Sequence, residues 1–448
     1  MSEGLSLWGS LKETVRPYYL RWIYFKLRPD RRPQAFEDCW RYPFDRLTEA
    51  VRLPESTSNL PDLLFYPMTD WHARFQRTQH LARAFARLGY RSISINPHLG
   101  REFETTPLFD RSPRLARLEH NVFELHVRLP REPVFHERLL SPREEEMVAL
   151  AIEKVLPKAV NTESAGQPAG TNPPPARPRV IQILSFPLWL GVAQRFRAQA
   201  GFPIVYDCHD LLSGFHNIGE GLIRAEADLL AAADLVLFSS QGLMDRYPAV
   251  KRRMLVRNAV TATQFPPETV SRRPESLVAG YVGALDSWFH VEALEEAARI
   301  NPQCRFILVG RVDYDPILRL KALPNVEFVG EIPHERVPEW LAQFRIALIP
   351  FRINPLTLMT NPIKLYEYFS CGLPVVSTPL PEAQTMGDLV YLGGSPAEFA
   401  RQVSEALQED DLQQRSRRRE IARQESWEAR AHAIRAELAT LMEEPLRM

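Results

Sequence analysis

Short apolar runs alternate with amphipathic segments along most of this chain. The first run, DLLFY at residues 62–66, leads into a segment whose apolar residues recur every three or four positions and end at Gly89, a typical helix stop. The same alternation continues through the strand-like runs RSISIN, VFELHVRL, VIQILS, PIVYDC and LVLFSS. Strands that alternate with helices predict a parallel sheet with helices on both faces.

The alternation begins a second time after a cluster of prolines and polar residues at 265–276. The strand-like runs LVAGYVG, CRFILVG, NVEFVG, IALIPF and LVYLGG follow, with helix-like segments such as VEALEEAARI among them. We therefore predict an α/β protein with two doubly wound, Rossmann-like parallel-sheet domains that face each other across a cleft. Ligands of this architecture bind at the carboxyl ends of the strands, so the cleft is the expected site.

Four parts make up the predicted domain organisation. An N-terminal extension covers residues 1–60, the first domain 61–265, the second domain 277–410, and charged helices the remainder, 411–448. Residues 157–179 interrupt the first domain with Pro, Gly, Ala, Ser and Thr and almost no large apolar side chain. Such a composition cannot offset its ordering entropy by burial, so this segment is predicted to be a flexible insertion.

Composition narrows the class of protein. Of 448 residues, 45% are hydrophobic and 25% charged, which is typical of a soluble globular protein. The 55 basic and 55 acidic residues balance, so the global basic charge of nucleic-acid binders is absent. The four cysteines lack metal or disulfide spacing, no apolar run of 18 residues occurs, and charges interrupt any secretory signal. We expect a cytoplasmic protein with reduced thiols and no nucleic-acid partner.

The N-terminal extension mixes aromatic and basic side chains in the run VRPYYLRWIYFKLRPDRR. Amphipathic rings and cations both find partners at a water–lipid interface. Residues 1–35 therefore suit peripheral contact with the inner face of a membrane. The alternative is a segment that packs on the first domain and exposes its arginines.

The stretch TNPIKLYEYFSCGLPVV, residues 360–376, begins with a helix-start signal and ends in a buried strand. Asn361 is a good N-cap, and Pro362 suits the first helical position. The predicted helix stops at Gly372. Leu365 and Phe369 are four residues apart and would face the core.

Lys364 and Glu367 are the two charges on this helix. Lys364 would lie in the first turn, where a cation opposes the helix dipole unless an anion binds there. Backbone N–H groups at a helix N-terminus favour phosphate, and a lysine adds a full charge. Glu367, one turn further on, would accept hydrogen bonds from sugar hydroxyls. The pair predicts a nucleotide, with Lys364 on the diphosphate and Glu367 on the ribose; the alternative is an i,i+3 salt bridge on an exposed helix.

The segment LYEYFSCGLPVVSTPLPE resembles the end of a helix in the second domain of family-4-type glycosyltransferases, which have the GT-B fold. Other segments agree in order, including YDCHDLLSGF, ADLVLFSS, RNAV, AGYVGALDSWF, FILVGRV and NVEFVGEIPHERVPEWLAQFRIALIPF, so the resemblance covers about residues 61–400. It implies a nucleotide-sugar donor on the second domain, a glycan or lipid-linked acceptor on the first, and transfer with retention in cell-surface polysaccharide synthesis. It also implies that the C-terminal helices return to the N-terminal domain.

The resemblance also implies site residues. Glu367 matches the glutamate that binds ribose, and Gly283 matches the glycine turn beneath the diphosphate. Arg311 and Lys364 are the cations for the leaving diphosphate, although an arginine after a strand often only caps it. His209 would touch the donor sugar, unless it is a loop histidine bonded to backbone. The predicted set is completed, on the donor side, by Thr360, Asn361, Leu365 and Tyr366 and, on the acceptor side, by Trp71 and Asp210.

This chain departs from the family pattern at two places. Many members have a second glutamate eight residues before Glu367, but Met359 stands here, so sugar recognition would shift to Thr360 and Asn361. The usual K-G after the first strand of the second domain is replaced by SWFHVEAL. Lys364 is therefore expected to hold more of the phosphate charge.

Several alternatives use related features. A nucleotide-sugar epimerase would share the fold but needs a pair of carboxylates, and a non-catalytic sugar-nucleotide binder would fit the two departures. A dehydrogenase is disfavoured because no G-x-G-x-x-G follows a first strand. A metal-dependent GT-A transferase would want a D-x-D, but Asp313 and Asp315 in VDYD suit an ordinary polar loop. We expect no metal or other cofactor besides the nucleotide-sugar co-substrate.

Overall fold

The computed structural model describes residues 51–443, apart from 57, 70, 72–74, 97–112, 128, 130–135, 137, 157–179, 216–217, 262–263 and 265–275. Three predictions lie outside the described residues. They are the N-terminal extension as far as residue 50, the insertion at 157–179, and nearly all of the boundary at 265–276.

The first sheet has the strand order β3-β4-β2-β1-β5-β6-β7-β8. Its strands are β1 (Asp62–Tyr66), β2 (Ser92–Ile95), β3 (Arg114–Glu119), β4 (Val122–His126), β5 (Val180–Leu184), β6 (Ile204–Cys208), β7 (Leu235–Phe238) and β8 (Arg253–Leu255). Every residue of β1, β2 and β4 to β7 is buried, and most of these residues are apolar. β3 and β8 are the edge strands, and their sequences are more polar.

One strand pair corrects the prediction of a purely parallel sheet. β3 and β4 are antiparallel, because the two-residue turn at His120 and Asn121 is too short for a crossover. Asn121 has a positive φ of 59°, as such a turn requires. The pairs β1–β2, β1–β5, β2–β4, β5–β6 and β7–β8 are parallel as predicted.

Helices alternate with strands along the first sheet, and all but the short last one were predicted. They are α1 (Arg77–Arg87), α2 (Pro142–Val155), α3 (Leu190–Ala200), α4 (Glu220–Ala232) and the short α5 (Gln241–Arg246). Gly201, which ends α3, has a left-handed φ of 67°. α5 starts at an N-cap serine, Ser240, whose side chain accepts from the Leu243 N–H.

The second sheet is entirely parallel, with the order β11-β10-β9-β12-β13-β14. Its strands are β9 (Val278–Val282), β10 (Arg305–Val309), β11 (Val326–Gly330), β12 (Ile346–Ile349), β13 (Val375–Ser377) and β14 (Val390–Leu392). The chain moves outward from β9 to β11 and then returns to β12 on the other side. Such a reversal leaves a crevice at the carboxyl ends of β9 and β12, which is where doubly wound sheets bind ligands.

The remaining helices belong to this second half of the chain. They are α6 (Val291–Ile300), α7 (Val337–Leu341), α8 (Pro355–Leu358), α9 (Ile363–Ser370), α10 (Pro381–Gln384), α11 (Pro396–Gln408), α12 (Leu412–Gln424) and α13 (Trp427–Glu443). α12 and α13 are separate because Ser426 pairs with Val260, which interrupts helical bonding. None of the helices in the described part of the chain is long and apolar enough to cross a bilayer.

The chain separates into two compact units. One comprises the described residues of Met1–Tyr206, Asn217–Asp234 and Ala439–Met448, and the other Asp207–His216 and Leu235–Leu438. The core of the second unit consists of apolar side chains from its strands and helices, and includes Leu365 and Phe369 as predicted. Cys208, Cys304 and Cys371 are buried, and within the described residues none of them forms a disulfide.

The start of α9 corrects a second prediction. Pro362, and not Asn361, is the N-cap, and no side chain caps the helix. The Asn361 amide is used elsewhere, as described below. The helix ends at Ser370 before Gly372, whose φ of 71° is left-handed, so the predicted stop is confirmed.

Candidate functional site

Two glycines meet at the carboxyl ends of β9 and β10. Gly283 has a φ of 142° and Gly310 a φ of 150°, conformations that disfavour other residues. The Gly283 N–H donates to the Val309 carbonyl at 2.9 Å, and a Cβ on Gly310 would collide with the Gly283 carbonyl oxygen. The glycine turn predicted at Gly283 is therefore present, and it lies at the crevice of the second sheet.

The Lys364 side chain lies directly on this turn. A Cβ added at Gly283 would be 3.0 Å from Lys364 Cε, so only glycine leaves room for the lysine. The ammonium lies 5.3 Å from the centroid of the Tyr281 ring and 4.9 Å from that of Phe351, within the range of cation–π attraction. Among the described residues, no carboxylate forms an ion pair with Lys364. The lysine is thus held in place by aromatic rings and leaves its charge available.

Burial lowers the pKa of Lys364 from 10.5 to about 8, and the nearby charge of Glu367 opposes this shift. A lowered lysine pKa means that the surroundings disfavour the ammonium form. A bound anion would reverse that preference. The helix end adds to the attraction, because the first N–H groups of α9 have no side-chain cap.

Glu367 is 7% exposed, yet within the described part of the chain its carboxylate has no hydrogen-bond partner. Only its main-chain oxygen is engaged, accepting from Ser370 Oγ at 2.6 Å. The i,i+3 salt bridge to Lys364, the alternative considered from the sequence, does not form. The carboxylate can therefore accept hydrogen bonds from a ligand.

Arg311, the second predicted phosphate cation, is placed differently. Its Nε donates to Asp313 Oδ1 at 2.6 Å, and its side chain is 39% exposed. The arginine therefore has a counter-ion of its own, and its contact with a diphosphate stays a prediction. Asp313 is the first acid of the D-x-D sequence, and among the described residues no group of three or more His, Cys, Asp or Glu could hold a metal.

His209 and Asp210 follow β6. His209 Nδ1 lies 3.1 Å from the Asp207 carbonyl oxygen, and Nε2 lies 3.7 Å from Asp210 Oδ2. Ser239 Oγ donates to the His209 carbonyl at 2.7 Å and fixes the loop. The backbone-bonded histidine considered from the sequence is therefore present. A contact of His209 with a sugar, and of Asp210 with an acceptor, stay predictions.

The other predicted donor-binding side chains are engaged by the protein itself. Thr360 Oγ1 donates to the Leu356 carbonyl at 2.9 Å, and Leu365 lies in the core. Tyr366 is fully buried, and its hydroxyl accepts from Asn361 Nδ2 at 3.0 Å. Burial is the main cause that raises the pKa of Tyr366. Any donor contact at these positions would therefore use main-chain groups.

Trp71, predicted on the acceptor side, belongs to the first unit. It is buried, its carbonyl accepts from Gln79 Nε2 at 3.3 Å, and its ring meets Phe75 edge-on at 6.3 Å. These contacts account for its place in the core of that unit. Contact with an acceptor stays a prediction.

Four residues that shape the start of α9 were not predicted from the sequence. Tyr281 and Phe351 position the Lys364 ammonium, and Glu382 and Arg257 form an ion pair at 2.6 Å beside Asn361. Aromatic residues at the ends of the strand-like runs GYVG and IALIPF were the available signal for the first two. Glu382 ends the family-like segment STPLPE, but a lone glutamate there has no spacing that marks it.

Comparisons with known proteins agree with this geometry. Residues 276–409 match the family model described as glycosyl transferases group 1. TuaH of Bacillus subtilis (strain 168), provisionally named as a teichuronic acid biosynthesis glycosyltransferase, is 29% identical over 255 residues. That match covers 50% of this chain and 64% of TuaH, so the chain spans less than two thirds of this relative.

Solved structures show the same fold. Sucrose-phosphate synthase from Thermosynechococcus elongatus superposes with a TM-score of 0.63 at 16% identity, covering 86% of this chain and 100% of that one. Anabaena HepE in complex with UDP-glucose superposes with a TM-score of 0.58 at 17% identity, covering 85% and 99%. This chain therefore has the GT-B fold, and its residues 276–409 are similar to the group 1 glycosyl transferases.

Proposed function

We propose that this protein is a retaining glycosyltransferase that moves a sugar from a nucleoside-diphosphate sugar to a glycan or lipid-linked acceptor in the synthesis of a cell-surface polysaccharide. The observation that supports it most is the start of α9. There, among the described residues, the Lys364 ammonium lies against Gly283 without an ion-pair partner, and the Glu367 carboxylate accepts no hydrogen bond. A diphosphate and a ribose are the groups that would satisfy both.

In the proposed reaction, the bond between the anomeric carbon and a diphosphate oxygen breaks, and its electron pair stays on the departing diphosphate. The Lys364 ammonium and the first N–H groups of α9 stabilise that growing negative charge. The acceptor hydroxyl oxygen forms the new bond to the anomeric carbon, and its proton passes to the departing diphosphate oxygen. Glu367 holds the ribose, which keeps the leaving group in register with the lysine.

Names of the similar proteins support the finer terms of the proposal. Anabaena HepE was solved with UDP-glucose, and TuaH is named for the biosynthesis of teichuronic acid. UDP-sugars are therefore the first donors to test, and a growing surface glycan is the first acceptor. Met359, where the family pattern has a sugar-binding glutamate, leaves the donor sugar open.

A thermal-shift screen tests the nucleotide first. A ligand that binds only the folded state stabilises it by about 2.7 kcal/mol at 100 times its Kd, so a matching nucleoside diphosphate or nucleotide sugar raises Tm. The absence of any shift across uridine, guanosine, adenosine, thymidine and cytidine compounds would contradict the proposal.

Release of free nucleoside diphosphate from the stabilising donor then separates transfer from binding. We expect release to accelerate when acceptor glycan is added, and the product linkage to keep the anomeric configuration of the donor in its NMR spectrum. Tight binding without release in the presence of acceptor would identify a non-catalytic binder. An inverted linkage would contradict retention.

We also propose that the protein touches the membrane through residues 1–35, which lie outside the described residues. The support is the mixture of aromatic and basic side chains in VRPYYLRWIYFKLRPDRR. Flotation with vesicles that contain anionic lipid should carry the full chain and lose a chain that lacks residues 1–35. Equal flotation of both chains would favour packing of this segment on the protein.

A further inference from the structure

We propose that Asn361 and Glu382 are positioning residues that fix the loop before α9 and thereby aim Lys364 at the donor diphosphate. This inference rests on the proposed function. Asn361 is 2% exposed and precedes the first helical residue by two positions. Glu382 is equally buried, in α10, and shares hydrogen bonds with it.

Every polar atom of the Asn361 side chain is used within the protein. Its Nδ2 donates to Tyr366 Oη at 3.0 Å and to Glu382 Oε2 at 3.1 Å, which consumes both amide hydrogens. Its Oδ1 accepts from the Asn258 N–H at 2.9 Å, and its main-chain oxygen accepts from Asn258 Nδ2 at 2.5 Å. The asparagine thus ties the loop before α9 to the segment after β8 and, through Tyr366, to the helix itself.

Glu382 is the centre of the same network. Its Oε2 also accepts from Arg257 Nε at 2.6 Å, and its Oε1 accepts from the Gln241 N–H at 2.8 Å, at the N-terminus of α5. A carboxylate at that helix end is electrostatically favourable. Ser240 Oγ adds a bond to the Met359 carbonyl at 2.5 Å. The loop is therefore held at both Met359 and Asn361.

This network matters for the donor because α9 has no cap of its own. With Pro362 as N-cap and no capping side chain, the direction of the first turn is set by the residues just before it. That turn presents the N–H groups and the lysine that would meet the diphosphate. A fully satisfied buried network defines one geometry, and displacement of a charged donor by a fraction of an ångström weakens its contact with an anion.

If Asn361 and Glu382 only stabilised the fold, their loss would lower stability without changing nucleotide affinity. Two other residues with similar hydrogen-bond networks serve as matched controls. Asn325 Nδ2 donates to three main-chain oxygens, those of Ala298, Asn301 and Cys304, before β11. Glu409 accepts three hydrogen bonds, all from side chains, which equals the number that Glu382 accepts. Neither control residue forms a hydrogen bond with α9. Their variants therefore measure the loss of stability that follows when such a network is lost away from α9.

The first experiment measures the Kd of uridine diphosphate, or of the nucleotide chosen by the thermal-shift screen, by calorimetry. Asn361→Ala should bind about tenfold more weakly, whereas Asn325→Ala should bind like the wild type even if both lose thermal stability. In a transfer assay the loss should appear in KM for the donor. Equal affinity of Asn361→Ala and wild type would overturn the inference.

The second experiment follows amide hydrogen exchange without ligand. Glu382→Gln replaces one carboxylate oxygen by an NH2 group that faces a hydrogen-bond donor, so one of the three hydrogen bonds that Glu382 accepts is lost. The backbone amides of residues 363–366 should then exchange faster. Glu409→Gln should leave those amides unchanged. Unchanged exchange in Glu382→Gln would overturn the positioning role, whereas a wild type that binds no nucleotide would instead overturn the proposed function and, with it, this inference.

Discussion

The charged pair where α11 meets α12 and the charged pair at the start of α9 both lie in the second unit, but only the first is neutralised internally. Arg418 is fully buried, donates to both Glu409 oxygens at 2.6 and 2.7 Å, and bonds the Leu389 carbonyl at 3.0 Å. Lys364 and Glu367 lack such partners among the described residues. Since uncompensated charge is costly to shield from water, the first pair satisfies its own charges, and the second is the pair that we propose for a ligand.

The largest expected effect comes from breaking the neutralised pair. Glu409→Ala leaves the Arg418 guanidinium buried without its carboxylate and should lower the free energy of unfolding by about 4 kcal/mol, measured by urea denaturation. Donor affinity per folded molecule should be unchanged, because this pair does not contact α9 by a hydrogen bond. A loss below about 1 kcal/mol would mean that Arg418 finds another partner when Glu409 is removed.

Removing the cation from the pair at the start of α9 should lower activity and leave stability intact. Lys364→Met keeps the apolar stem over Tyr281 and Phe351 but removes the charge, so kcat/KM should fall about 100- to 1,000-fold. The Tm should be equal or higher, because a disfavoured ammonium is gone. Lys321→Met is the control, since the Lys321 ammonium lies 5.6 Å from the Phe328 ring in an exposed position. Unaltered kinetics in Lys364→Met would mean that Lys364 does not bind the diphosphate.

Glu367→Gln tests the ribose contact, with a smaller effect. A hydrogen bond to a charged group contributes roughly 2 kcal/mol, so nucleotide affinity should fall about 20- to 30-fold. The sharper measurement compares uridine diphosphate with its 2′-deoxy and 3′-deoxy forms. The wild type should discriminate against at least one deoxy form, and the variant should lose that discrimination. If the variant discriminates as well as the wild type, Glu367 does not hold the ribose.

The second sheet could be predicted from its sequence because its inner strands β9, β10, β12 and β13 are almost entirely buried and appear as short apolar runs. α6 was predicted at its observed bounds, from VEALEEAARI. The antiparallel β3–β4 hairpin was not predicted as such, since the edge strand RLARLE is polar and its turn lacks glycine. The break between α12 and α13 depends on pairing of Ser426 with Val260, a long-range contact without a local signal.

In the candidate site, too, features with a local sequence signal were predicted, and features that depend on long-range contacts were not. Lys364 was singled out because helix polarity is a local property, and Gly283 because its segment resembles the family pattern; the structure places the two together. Asn361 looked like an N-cap for the same local reason, but Asn258 and Glu382 engage its amide from distant parts of the sequence. The Arg311–Asp313 pair likewise uses the cation that the sequence assigned to phosphate. Sequence predicted the charges, while their partners depended on tertiary contacts.

The smallest expected effect is a pH dependence of nucleotide affinity. Burial lowers the pKa of Lys364 in the free protein to about 8, so the ammonium is lost as pH rises through that value, and the Kd of uridine diphosphate should increase about tenfold between pH 7 and pH 9. Lys364→Met should show a flat profile in the same calorimetric titrations, since it has no proton to lose there. A flat profile in the wild type would mean that the ammonium does not meet the diphosphate.

Titration of Lys364 should change the stability of the ligand-free protein in the opposite direction. This opposite sign distinguishes the titration from general alkaline damage. In the unfolded chain Lys364 keeps its proton up to about 10.5, whereas the folded chain releases it near 8. Between these values the unfolded state binds more protons, so the contribution of Lys364 to the free energy of unfolding rises with pH. Wild type measured against Lys364→Met should therefore gain stability from pH 8 to 10 while losing affinity. A fall in both would contradict a buried, unpaired ammonium and would assign Lys364 a partner that stabilises its charge.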